Sequence, residues 1–191
     1  MKRILLSALL ASALVSVPAA TYQYNFNFVP EGAGTGSGTG SAIYNDVTHS
    51  FQMTANFSGL SGNVTQTHFH GATATPGVGN ASIMVGNTSL PGFPLGGTSG
   101  NYSQTLDLSQ GSVYNTTYLN TTSGGNVATA EAGFFNALNQ GRSYWNIHSS
   151  TFPGGEIRAY ATLVPEPSSL ALFGLGAVAF VARRWSNRRQ S

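Results

Sequence analysis

Tyr22-Gln23-Tyr24-Asn25-Phe26-Asn27-Phe28 alternates aromatic and amide side chains without a break. A period of two puts every ring on one face, as in a strand with one buried and one solvated side. The same alternation returns in Phe51, Met53, Ala55 and Phe57, with Ala42–Tyr44 a partner strand before it. Val64–His70, Ala81–Val85, Tyr102–Leu108, Ser143–His148 and Glu156–Leu163 read as further strands. Glu31–Gly40, alternating glycine with small residues, reads as a flexible strand connection. It has neither dinucleotide-loop nor Walker spacing, and no lysine follows it. Ser89–Asn101, rich in proline and glycine, is a loop. Only Ala128–Gln140 breaks the pattern. Val127, Ala130, Phe134, Phe135 and Leu138 fall at helical spacing, with Thr129 as a candidate cap and Gly141 past the end. Many short strands, glycine-rich connections and one short helix predict an all-β protein, an antiparallel β-sandwich.

Charge is sparse and unevenly placed. Only 7% of the 191 residues are charged, against about 25% in ordinary globular domains. The net charge of +2 comes from the ends. Between residues 20 and 163 stand five acids (Glu31, Asp46, Asp107, Glu131, Glu156) and two bases (Arg142, Arg158), a net charge of −3. Nucleic-acid binding is therefore not expected. The absence of cysteine excludes disulfides, thiolate zinc sites, iron–sulfur clusters and a cysteine nucleophile.

The N-terminus has Lys2-Arg3, a short apolar run and small residues through Ala19-Ala20. These are the three parts of a secretory signal helix, with cleavage expected after Ala19, so residues 1–19 are read as a signal peptide. The C-terminus runs Val164-Pro165-Glu166-Pro167, then an uncharged apolar stretch from Leu170 to Ala182, then four arginines. Thirteen apolar residues make a hydrophobic helix of roughly 20 Å, short for a bilayer core of about 30 Å. The two prolines keep the motif extended. Residues 164–191 resemble the PEP-CTERM sorting signal. That resemblance implies export in a Gram-negative bacterium through the secretion machinery. It also implies handling by an exosortase-like membrane enzyme and at least transient anchoring to the inner membrane.

The chemistry-bearing stretches are Thr67-His68-Phe69-His70-Gly71, Tyr144-Trp145-Asn146-Ile147-His148 and Pro153-Gly154-Gly155-Glu156-Ile157-Arg158. On a strand His68 and His70 share one face and Phe69 takes the other, so a buried Phe69 turns both imidazoles outward. By the same rule Trp145, Ile147, Ile157, Ala159 and Ala161 point inward. Tyr144, Asn146, His148, Glu156 and Arg158 point outward. One hairpin register sets Asn146 against Arg158 and His148 against Glu156. If the strands are neighbours, His68, His70 and His148 converge, with Glu156 nearby, a set suited to zinc or copper. The competing reading has the histidines bonded to backbone or to one another as sheet cement. Glu156 and Arg158 are candidate binding residues or a surface ion pair.

With Ser58-Gly59-Leu60 upstream, the order of these motifs resembles the CHRD domain over about residues 20–163. The resemblance implies a β-sandwich related in outline to immunoglobulin-like and copper/zinc superoxide dismutase folds, and no general enzymatic activity. His-x-His with a distant strand histidine is also the gross pattern of the dismutase copper site, although no further bridging histidine is evident. There is no nucleophile elbow, no His-Glu-x-x-His helix and no recognisable carboxylate pair, so no catalysis is expected. The leading expectation is an exported structural or binding protein of the cell surface or extracellular matrix. The alternatives are a copper- or zinc-binding or redox module on His68, His70 and His148, and a binder of extracellular polysaccharide or matrix polymer.

Overall fold

The computed structural model describes residues 20–165. The expected signal helix with Ala19, the C-terminal hydrophobic helix, and Glu166 and Pro167 of the sorting motif lie outside the described residues. Among the described residues nine strands form: β1 (Thr21–Pro30), β2 (Ser37–Asn45), β3 (Ser50–Ser58), β4 (Val64–His70), β5 (Ile83–Val85), β6 (Gly100–Asp107), β7 (Tyr144–Ser149), β8 (Ile157–Tyr160) and β9 (Thr162–Val164). Helix α1 (Val127–Asn139) lies between β6 and β7. Eight strands pair in the order β5-β4-β7-β8-β1-β2-β3-β6, and β9 pairs with β1. Every pairing is antiparallel. The protein is thus an all-β sandwich made by one curled sheet.

Strand β1 joins the two halves. Its residues from Thr21 to Phe28 pair with β2, while Val29 and Pro30 pair with β8. The alternation of β1 buries Tyr24, Phe26 and Phe28. Those rings meet the other half across the core. Trp145 of β7 lies 5.7 Å from Phe26, 5.4 Å from Phe28 and 6.0 Å from Tyr102, edge-on to each. Phe69 of β4 packs on Trp145, Phe26 and Phe51. Edge-to-face aromatic pairs of this kind add to area burial in holding two layers together. Helix α1 closes one end, with Phe134 against Phe51 and Phe69, and Phe135 against Tyr22 and Tyr44.

Three local expectations are revised. The glycine run is not all connection, because Ser37–Gly40 opens β2. A Cβ on Gly40 would stand 2.8 Å from the Thr54 carbonyl oxygen and 3.3–3.4 Å from the Phe28 and Trp145 rings. Glycine here makes room for the indole. The strand expected over Glu156–Leu163 breaks at Ala161, whose N–H bonds to Ser143, and β9 moves across to β1. The cap of α1 is Asn126, whose side chain accepts from the Thr129 N–H. Gly141 does follow the helix with φ +62°. Tyr118–Thr122 forms a π-turn that the polar, aperiodic sequence did not announce.

Candidate metal centre

Strands β4 and β7 are neighbours, with His68 opposite Asn146, His70 opposite Tyr144 and Gln66 opposite His148. Phe69 faces the core, so His68, His70 and His148 share the other face of the sheet. That face is not solvent. The three histidines are 1%, 9% and 7% exposed, which corrects the outward placement expected from alternation alone. Loops that strand periodicity does not reveal cover the face, and their carbonyls reach the rings. His68 Nε2 lies 2.6 Å from the Thr88 oxygen, His70 Nδ1 2.9 Å from that of Ala81, and His148 Nδ1 2.9 Å from that of Pro153.

Those three contacts settle the tautomers. A carbonyl oxygen only accepts, so each of these ring nitrogens must carry the hydrogen. In the neutral ring the other nitrogen is then a lone pair. The lone pairs are His68 Nδ1, His70 Nε2 and His148 Nε2. One nitrogen from each ring lies within 4.8 Å of the other two. His68 Nδ1 and His148 Nε2 are 3.3 Å apart, yet with both hydrogens turned to carbonyls neither donates to the other. His70 Nε2 is buried and has no partner.

The cluster resists protonation. Burial lowers all three pKa values, and it takes His70 to about 4. The neighbouring imidazoles push His68 and His70 further down, and Arg158 adds to the effect on His70. Neutral imidazole nitrogens gathered within 4.8 Å of one another, each ring fixed by a hydrogen bond from its other nitrogen, are how proteins orient imidazoles toward zinc or copper. Two ligands about 2.0–2.1 Å from a tetrahedral ion stand roughly 3.3 Å apart. The His68–His148 separation of 3.3 Å matches this, and the His70 ring, farther off in a set spread over up to 4.8 Å, closes inward when an ion binds.

Glu156 and Arg158 do not pair with each other. The register does set Asn146 against Arg158. Arg158 bonds instead to Glu31, to the Gly79 oxygen and to Asn80 Oδ1, and lies 5.0 Å over the Tyr144 ring. Glu156 is fully buried, and its carboxylate bonds to the Ser61 and Thr35 turns rather than to the histidines. Its Oε1 accepts from Ser61 N at 2.5 Å, Ser61 Oγ at 2.8 Å and Thr35 Oγ at 3.1 Å. Burial alone would raise its pKa, but the hydrogen bonds from Ser61 and Thr35, with the Ser149 hydroxyl close by, outweigh that and hold it at about 2. It staples the β1–β2 and β3–β4 turns to β8. His49 stands apart from the cluster. Its Nδ1 bonds to Glu131, which also accepts from Tyr44. Within the sorting motif, Val164 ends β9 opposite Gln23, and Pro165 follows exposed. Sequence reasoning did not single out Glu31, nor could it locate the three carbonyls, which have no side-chain signature.

A model of the CHRD domain matches residues 19–160. The chain belongs to the CHRD domain family. A model of the PEP-CTERM protein-sorting motif matches residues 163–189, directly after the CHRD domain. That motif implies an exported, envelope-associated protein processed by an exosortase-type system. No curated protein and no solved structure matches the chain. Among the described residues, no helix is long and apolar enough to cross a membrane.

Proposed function

We propose that this CHRD domain is an exported binding module that holds one zinc or copper ion on His68, His70 and His148. The observation that carries the reading is the set of three carbonyl contacts, which leave three neutral lone pairs in a buried cluster whose ligand atoms lie within 4.8 Å of one another. The chain reaches the outside through a cleaved N-terminal signal (residues 1–19). Its sorting segment (residues 164–191) anchors it at the membrane until an exosortase acts. The role is structural or binding rather than catalytic. The carboxylates of the folded body are committed elsewhere: Glu31 to Arg158, Glu131 to His49 and Tyr44, Glu156 to Ser61 and Thr35. Asp46 bonds to the N–H of Ala20, and Asp107 to Ser109. A polysaccharide-binding role has less support, because the large apolar residues exposed among the described residues are aliphatic, offering no aromatic platform.

The test is elemental analysis of the exported protein, with melting curves with and without zinc or copper. Saturating metal at about 100 times its dissociation constant should add about 2.7 kcal/mol, a rise of several degrees. His68→Ala should abolish the shift. No bound metal and no shift in the unmutated protein would remove the proposal. Fractionation with an intact-cell epitope label tests export, and a purely cytoplasmic signal would end that part.

A further inference from the structure

Three histidines leave a tetrahedral ion one ligand short, and the same face of the sheet holds an unusual acceptor. Asn146 of β7 stands directly opposite His68 and two residues before His148. It is 2% exposed. Its Nδ2 donates to Glu31 Oε2 at 3.1 Å, while its Oδ1 is buried without a hydrogen-bond partner. The orientation is forced, because a carboxylate only accepts and so turns the NH₂ end toward Glu31. Glu31 is itself held by Arg158, which Gly79 and Asn80 anchor in turn. Gly155 closes over the amide. A Cβ there would stand 2.5 Å from Asn146 Nδ2 and 2.7 Å from Asn146 Oδ1. The fold therefore fixes Asn146 firmly while leaving its oxygen unsatisfied.

A buried carbonyl oxygen wants a donor. On the same face of the sheet, His68 and His148 carry lone pairs on the ring nitrogens opposite those bonded to Thr88 and Pro153. An O–H group bound at the centre would satisfy Asn146 Oδ1 and the ion together. We infer that Asn146 is a positioning residue that accepts a hydrogen bond from a water completing the ion's coordination. This inference rests on the three-histidine reading above. The fourth position is then open to exchange. With the three rings at most 9% exposed, its ligands are restricted to water, hydroxide and small monodentate anions.

The full chain loaded with Cu(II) tests this by pulsed electron paramagnetic resonance in H₂O and D₂O. Expected are couplings from three imidazoles plus an exchangeable proton that azide displaces. Asn146→Leu should keep the imidazole couplings, alter the exchangeable-proton signal and weaken copper binding about tenfold or more. Imidazole couplings without an exchangeable proton in the unmutated protein would overturn the Asn146 inference alone. So would an Asn146→Leu protein with unchanged signal and affinity. Absence of imidazole couplings would overturn the metal reading itself and this inference with it. The solvent comparison uses the unmutated protein, so the result does not depend on the variant folding.

Discussion

Acid should destabilise the metal-free protein in a window that only the buried histidines explain. Burial holds His70 at about 4, against an ordinary value of 6.5, and lowers His68 and His148 in the same direction. Below pH 6.5 the unfolded chain takes up protons that the folded chain refuses. Stability is therefore fully present above about pH 6.5 and falls as the pH drops toward 4. For His70 alone the difference is worth about 3 kcal/mol, at 1.36 kcal/mol per pH unit. Glu156 cannot be the source. Its carboxyl is held at about 2, so its contribution is complete above pH 4.5 and is lost only as the pH falls toward 2. The assay is urea unfolding of chelator-treated protein from pH 8 to 4, followed by the fluorescence of Trp145, which is fully buried. The midpoint should drop steadily between pH 7 and 4. A variant with glutamine at positions 68, 70 and 148, and His49 intact, should lose most of that slope. A flat profile in the unmutated protein, or an equal slope in the triple variant, would refute the buried, neutral histidine cluster.

Other outcomes follow from the packing. Gly40→Ala drives a methyl group into the Thr54 carbonyl and the Phe28 and Trp145 rings. It should cost about 1–3 kcal/mol, read as a lower melting temperature. Glu156→Ala leaves the Ser61 N–H without its acceptor and frees two turns. A loss of about 2–4 kcal/mol is expected in urea unfolding at pH 7. Asn126→Ala removes the cap of α1 and should cost about 1 kcal/mol. It should leave metal affinity unchanged, which a metal titration would check.

The layered β architecture is legible because period-two alternation survives burial on one side. Tyr22–Phe28 and Phe51–Phe57 declare their faces without ambiguity, and β1 and β3 form where that pattern places them. Alternation says which side a residue takes, but not what covers that side. His68 and His70 therefore read as outward, whereas the Thr88, Ala81 and Pro153 segments fold over them. The same blindness hid Glu156, which sits where a polar outward residue is expected yet is buried under the Ser61 and Thr35 turns. The Arg158–Glu31 pair spans 127 positions in the chain, and no local pattern encodes it. A glycine-rich run reads as flexibility, but at Gly40 glycine is a steric allowance for an indole that arrives more than 100 residues later.

The claim that this domain is built to hold a metal ion is tested most directly by diffraction from crystals grown with zinc, using anomalous scattering at the zinc edge. The account expects one strong peak about 2 Å from His68 Nδ1, His70 Nε2 and His148 Nε2, with the opposite ring nitrogens still bonded to Thr88, Ala81 and Pro153. Absence of anomalous density at this point, with the three rings turned to hydrogen-bond one another instead, would contradict it.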